Sequence, residues 1–352
     1  MQMHRLVLHL ATWCIALVLI AQPAAAQPLE GANACAPPNY KIHVRPDPPG
    51  SPTEVQIGVL IVDLVEINDV DRTISIDLAL RMRWTDPRLA AWNGCKLSVD
   101  DIWFPELVLD SSGKVFERWP LRVRIGEGGQ VIYLQRVSGT LSSYHKLTDF
   151  PFDSQKISMS IFPLEWSRQE VVFRPDETFS GIASPINISD WQIHGVDAWV
   201  ADEQFDIFEQ VRSVYILDIL AQRHQGYYIL KTMLPIALIV VMSWSVFWID
   251  PEQFGTQIGL SATSVLTMIA FIFATTNMLP RLGYFTVLDR YIATATVFVF
   301  VALLQSLATG FLVSRGRAAL ARRVDAVSRV AFPAAFALLC AQLYASVASG
   351  VA

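Results

Sequence analysis

Histidine and cysteine are scarce in this chain, six and four residues in 352, and none of them stands at a spacing that holds a metal. No metal site and no cofactor are expected. The sequence has no glycine-rich phosphate loop and no nucleophile elbow, so an enzyme is the poorest reading. Charge is thin too, at 17% of residues with a net of -5, and no acidic or basic block is long enough to form a tail. Nucleic acid is not expected as a partner. What is plentiful is apolar: 53% hydrophobic residues is too many for an ordinary soluble protein. The remainder is too mixed for a chain made only of membrane helices, and two unlike parts are expected.

At the start, His4 and Arg5 precede the apolar run Leu6 to Ala21, and Pro23-Ala24-Ala25-Ala26-Gln27 follows. This pattern fits a secretory signal over 1–26 with small-residue cleavage after Ala26, so the mature chain is expected to begin outside the cytoplasm. An uncleaved membrane helix is the other reading, disfavoured by the short run. Cys14 lies in that signal and Cys340 in a late apolar segment, which leaves Cys35 and Cys95 as an exported pair. Such a pair invites a disulfide, although spacing alone does not bring the two together.

From 27 to 226 the pattern is that of strands. Ile74, Ile76, Leu78, Leu80, Met82 and Trp84 alternate with Ser75, Asp77, Ala79, Arg81 and Arg83, as a half-buried strand does. Ile157, Met159 and Ile161 alternate likewise, and β-rich runs recur at 54–65, 131–137, 191–200 and 211–220 with turn formers between them. An immunoglobulin-like antiparallel β-sandwich is expected. From 227 to 352 the character changes: apolar runs at 229–249, 257–279, 287–313 and 327–348 are each long enough to cross a bilayer, a four-helix all-α domain. Arg315, Arg317, Arg322, Arg323 and Arg329 follow the third run, whereas Arg281 and Arg290 follow the second with Asp289 beside them. The positive-inside rule places the arginine-rich connection in the cytoplasm, with the β-domain and the C-terminus outside. This predicts a multi-pass protein of the cell (inner) membrane. Pro235 is expected to kink the first span, Trp244 and Trp248 to sit in an interfacial belt, and Lys231 to snorkel.

Within the second span, Gly259, Thr263, Leu266, Ala270, Phe273 and Asn277 lie on one helical stripe, small or polar at both ends and apolar in the middle. A pore lining has this character. So has a helix-packing face, since small residues also let membrane helices approach.

Phe150-Pro151-Phe152-Asp153 with Gln155, Trp84-Thr85-Asp86-Pro87-Arg88-Leu89, Trp103-Phe104-Pro105-Glu106, Arg223 before Gly226-Tyr227-Tyr228, and the segment from Ile258-Gly259-Leu260 to Val265-Leu266-Thr267-Met268 occur in one order. In that order they resemble the pentameric ligand-gated ion channels, the bacterial relatives of the animal Cys-loop receptors. The flanking cysteines of the animal loop are absent, Ser143 and Ile157 standing in their places. The resemblance implies a homopentamer in a lipid bilayer, opened by a small-molecule agonist or by protons and passing permeant monovalent ions. One amphipathic helix per chain cannot enclose water by itself, which agrees with such an assembly.

On the same resemblance, Leu266 would be the gate, with Phe273 a second constriction. Asp69, Asp153 and Arg223 would couple the sandwich to the membrane part, and Pro280 would stiffen the receiving loop. Ligand candidates are Arg81, matching an arginine that grips a carboxylate in the glycine-receptor branch, and Arg136 on the 131–137 strand as an assisting residue. Asp110, Ala79 and Leu164 occupy positions usually aromatic, so Trp166, Phe205 and Phe208 are the candidate rings. Proton gating would involve His145, His194 or His224. For ion selectivity the candidates are Asp250, Glu252, Thr256 and Gln257; the two carboxylates favour weak cation selectivity, with anion conduction or a non-conducting binding module as the alternatives.

Overall fold

A computed structural model describes residues 35–350, apart from 37, 40, 111–112, 184–185, 187 and 277–281. The expected signal over 1–26, and the candidates Asn277 and Pro280, lie outside the described residues.

Two sheets form the first domain. One runs β10 (Gly181–Ile182), β1 (Thr53–Asn68), β2 (Thr73–Thr85), β7 (Gln130–Ser142), β6 (Arg122–Ile125), β3 (Lys96–Ser98), with β5 (Gly113–Glu117) on β7 and β9 (Val171–Pro175) on β1. The other runs β11 (Trp191–Glu203), β12 (Arg212–Arg223), β8 (Ser154–Pro163), β4 (Leu107–Asp110). The alternation in β2 turns Ile74, Ile76, Leu78, Met82 and Trp84 inward onto Ile157, Met159, Leu217 and Ile219 of the facing sheet. Burying these two faces together is the main driving force for the sandwich. The tryptophan motifs have structural work here. Trp84 meets Trp103 edge-on at 5.9 Å, and Asp86 caps the short helix Pro87–Trp92 by accepting from Arg88 N at 3.1 Å. Cys35 and Cys95 are bridged, with Cα atoms 5.5 Å apart, tying the amino-terminal segment to β3.

Four apolar helices follow: α1 (Gly226–Trp248), α2 (Phe254–Thr276), α3 (Val287–Ser314) and α4 (Ala318–Gly350). All four are long and apolar enough to cross a membrane. In α1 a π-helical turn at Ile229–Met233 comes just before Pro235, which has no amide to donate to the preceding turn. On the same turn, the carbonyl of Met233 accepts the Tyr291 hydroxyl at 2.9 Å. A capping box of Thr286 and Asp289 starts α3, and Gly310 on α3 leaves room for the Phe254 ring at the foot of α2, where a Cβ would collide.

Two expectations need correction. The fourth helix begins at Ala318 and not at 327, because only the turn around Gly316, at φ 73°, separates it from α3. Most of the arginines expected in a loop, Arg322, Arg323 and Arg329, are therefore on the first turns of α4. Trp244 is not in an interfacial belt either: it is buried in the bundle, 5.7 Å from the Phe336 ring. Trp248, a turn later, is exposed.

Candidate functional site

The junction between the two domains is built on Arg223, the last residue of β12. Its side chain is 1% exposed, yet its charge is fully matched. Nε and Nη2 donate to the two oxygens of Asp153 at 2.8 and 3.1 Å, and Nη1 donates to Asp69 Oδ2 at 2.6 Å. The rings of Trp191 and Phe150 cover the guanidinium at 4.1 and 4.7 Å. Asp69 comes from the β1–β2 turn and Asp153 from the Phe-Pro-Phe-Asp loop, so one side chain ties three segments distant in sequence. Such planar bidentate pairing is what guanidinium does and ammonium does not.

The same loop rests on the helices. Val287 N donates to Thr148 O and Leu288 N to Phe150 O, both at 3.1 Å, and Leu147 N donates to the Tyr284 hydroxyl at 2.9 Å. Phe150 packs edge-on against Tyr228 of α1 at 4.8 Å. The sandwich thus touches the starts of α1 and α3 directly.

His145, a candidate for proton gating, and Gln155 of the motif extend this network. His145 Nδ1 is 3.2 Å from Asp69 Oδ1 and its Nε2 is 2.7 Å from Ser143 Oγ, while Gln155 Nε2 donates to Asp153 Oδ2 at 2.7 Å. His145 was visible only as a residue near the loop; its closeness to Asp69 is a tertiary fact. His194 meets Gln222 on the sheet surface instead.

On α2 the stripe is a real face. Gly259, Thr263, Leu266, Ala270 and Phe273 all point away from the bundle, and Leu266 and Phe273 are 68% and 73% exposed. The opposite face, Gln257, Ser261, Ser264 and Met268, is buried against the other helices of the same chain. Thr263 returns its hydroxyl proton to Gly259 O at 2.8 Å, leaving oxygen lone pairs to face outward.

At the foot of α2 the selectivity candidates separate. Thr256 is exposed. Gln257 is not on the stripe side, a correction: it is 1% exposed, and its Nε2 donates to Ile249 O at 3.0 Å. Glu252 pairs with Arg322 of α4 at 2.6 Å, and Asp250 Oδ1 accepts from Glu252 N at 3.0 Å, closing the turn into α2.

The ligand candidates fall into separate groups. Arg81 holds a carboxylate of its own chain: Nε donates to Asp176 Oδ2 at 3.0 Å, Nη2 also reaches Asp176 and Thr178, and Phe179 stacks on the guanidinium at 4.2 Å. Arg83 joins the same oxygen at 3.0 Å. Arg136 is bound to Asp77 and does not meet Arg81. A cleft of about 560 Å³ lies beside Arg81, with Lys96, Arg122 and Arg124 on its wall. On the other sheet, Phe205 and Phe208 pack on Phe162 at 4.4 and 5.9 Å, and Arg212 lies over Phe208 at 3.9 Å. Trp166 is apart from them, edge-on to Trp103 at 5.9 Å, so the three candidate rings form no single box. Asp110 is exposed at the end of β4.

The sequence that builds this β-sandwich on four apolar helices, with a buried arginine at the joint, matches known protein families over most of its length. The family described as neurotransmitter-gated ion-channel ligand binding domain matches residues 36–221, and its partner, the neurotransmitter-gated ion-channel transmembrane region, matches 232–320. The chain belongs to the neurotransmitter-gated ion-channel family. Its curated relatives include a gamma-aminobutyric acid receptor subunit beta of Caenorhabditis elegans, 28% identical over 78% of this chain and 52% of the relative. The subunit beta of Lymnaea stagnalis is 27% identical over 77% of this chain and 58% of its own length. The human subunit gamma-1 is 25% identical over 76% of this chain and 59% of its own length. The chain thus spans a little over half the length of these relatives.

In this member of the neurotransmitter-gated ion-channel family, the joint has a definite pH signature. Burial works against ionising Asp69, but hydrogen bonds from His145 and Arg223 outweigh it and hold the carboxyl below its ordinary value. Asp176 and Asp218 are held low in the same way, burial being outweighed by Thr178 and Arg81 in the first and by Lys156, Ser158 and Trp199 in the second. A carboxyl depressed in the folded state contributes stability that is complete above its unfolded value, about 3.9, and is lost as pH falls below it. We expect the melting temperature of the purified protein to fall on acidification below about pH 4, and Asp69→Asn to be less stable at neutral pH but flatter across that window. Thermal unfolding of both proteins over an acid series checks this. An unchanged slope in the variant excludes Asp69 from the effect.

Proposed function

We propose that the chain is one subunit of a homopentameric ligand-gated ion channel, with α2 of five copies surrounding the pore. The observation that carries this is the division of α2 into a buried face that packs on its own bundle and an exposed face running Thr263, Leu266, Ala270, Phe273. A packing stripe would be covered by its own chain. This one is left for copies of itself and for water. The arginines at the end remote from the sandwich support an orientation with that end in the cytoplasm of a cell membrane.

For the ligand we propose a small molecule carrying both a carboxylate and an amine. The cleft beside Arg81, with Lys96, Arg122 and Arg124, suits the carboxylate, and Asp110 on the other sheet suits the amine. In a ring the two sheets of neighbouring subunits would face each other. The relatives named as gamma-aminobutyric acid receptors are named for a molecule of this class.

For the ion we propose anions. The weak cation preference expected from Asp250 and Glu252 loses support, since Glu252 is neutralised by Arg322 and Asp250 is used in a turn. Arg315, Arg317, Arg323 and Arg329 leave that end of the bundle with an excess of positive charge, and no carboxylate lies on the stripe.

Current recording in planar bilayers under a salt gradient tests all three points. The expected result is current evoked by an amino acid of this type, reversing near the anion equilibrium potential. Absence of current across amino acids, amines, carboxylates and acid pH would sink the channel reading. Reversal near the cation potential would sink only the choice of ion.

A further inference from the structure

Three oxygens without a hydrogen-bond donor lie inside the helical bundle at its end remote from the sandwich. They are Oδ2 of Asp325 on α4, Oε1 of Gln305 on α3 and Oε1 of Gln257 on α2. Asp325 and Gln257 are each 1% exposed. Gln305 Nε2 donates to Asp325 Oδ1 at 2.6 Å, and the Gln257 amide lies against the same carboxyl while its Nε2 also serves Ile249 O. Turning over either amide does not help. It would set an oxygen against Asp325 Oδ1 in one case and against the Ile249 carbonyl in the other.

Cations do not satisfy the carboxyl. Arg329, on the next turn of α4, spends its Nε on Phe247 O at 2.9 Å and lies over the Trp248 ring at 5.7 Å. The charged groups facing Asp325 are this arginine and Asp250 from the turn before α2. The Arg322–Glu252 pair is exposed beyond them. α2 carries no ionisable side chain, nor do the adjoining halves of α1 and α3. A carboxylate buried in this way, with only the two neutral amides beside it and no ion pair, costs several kcal/mol, and taking up a proton removes that cost.

We infer that Asp325 forms a buried proton-binding site, holding the neutral acid with its O–H on Oδ2 donated to an amide carbonyl beside it. One proton then gives a donor to an orphaned carbonyl and removes the unpaired charge. Because Gln257 stands in the first turns of the proposed pore helix, loss of the proton to hydroxide on that side places a bare charge against the foot of α2. Taken with the channel reading and its orientation, alkaline pH on the cytoplasmic side should depress ligand-evoked current. The direction follows from packing: the neutral acid is the form that fits the closed set of amide contacts.

Infrared spectroscopy of the full chain in lipid vesicles tests the site without any current. At neutral pH we expect the carbonyl stretch of a protonated carboxylic acid, shifted by isotope-labelled aspartate, lost on strong alkalinisation, absent in Asp325→Asn and retained in Glu252→Gln. No acid band at neutral pH overturns the proposal, and is the result expected if an ionised Asp325 keeps a buried water. Should Asp325→Asn fail to assemble, the labelled unmodified chain decides alone: a band supports the site and its absence refutes it. In current recordings, Asp325→Asn should respond to ligand as the unmodified channel does at neutral pH and lose the dependence on cytoplasmic alkalinity. A variant that keeps this dependence refutes the link to the pore while leaving the channel reading intact.

Discussion

Leu266→Ser is expected to lower the ligand concentration for half-maximal current by about tenfold or more, a shift of at least about 1.4 kcal/mol in the opening equilibrium. Leu266 is the large apolar residue at the middle of the exposed face of α2, 68% exposed in its own chain. In a ring of five such helices, the leucines of neighbouring copies would exclude water from the axis, and the closed state would be favoured by their mutual burial. Each leucine side chain withdrawn from water is worth roughly 1.5–3 kcal/mol, so even a small part of five such terms suffices for the expected shift. Serine hydrates in either state, and the closed ring loses its advantage. Dose–response curves from reconstituted protein give the answer directly. An unchanged midpoint would mean that this face of α2 does not line a pore, and a non-conducting membrane-anchored binding module would then be the better reading.

Arg223→Ala is the second large effect. Truncation leaves Asp69 and Asp153 in the joint with no guanidinium between them, and Asp153 is almost completely buried. Breaking a buried pair by removing one partner typically costs about 3–5 kcal/mol, because the charge left behind has neither water nor a counter-ion. The loss should be read twice: as a marked fall in melting temperature and as loss of ligand-evoked current with ligand binding retained. Arg223→Lys keeps the charge but cannot bond both carboxylates in a plane, so it should recover part of the stability and less of the current. Full current in a well-folded alanine variant would dissociate this cluster from coupling.

Much of the architecture was legible in local pattern. The alternation from Ile74 to Trp84 lies in β2, Thr73–Thr85, because a strand has a period of two whatever it packs against. The stripe of α2 is legible for the same kind of reason, since residues three and four apart share a helical face in any environment. Motifs that carried the family resemblance divide on inspection. Trp84 and Trp103 build the core, whereas Phe150-Pro151-Phe152-Asp153 builds the contact with the helices.

What could not be read is which partner each polar side chain takes. Arg81 is 95 residues from Asp176 and Glu252 is 70 from Arg322, and no local spacing encodes those pairs. Gln257 stands two residues before Gly259 on the same helix, yet a rotation of about 200° along the helix turns it from the pore side into the bundle. Trp244 has the composition of a belt residue, and its burial depends on where Phe336 of α4 falls.

The sequence by itself determined the two-part architecture, the four apolar helices and the face of α2, because these depend on the period and length of apolar runs. Only the tertiary structure decided the joint of Arg223 with its two carboxylates, the internal partner of Arg81, the neutralisation of Glu252 and the orphaned oxygens around Asp325. The reason is physical. Burial follows from solvent preference, which each residue carries with it, whereas ion pairs and buried hydrogen bonds depend on angstrom-scale positions that the folded chain alone supplies.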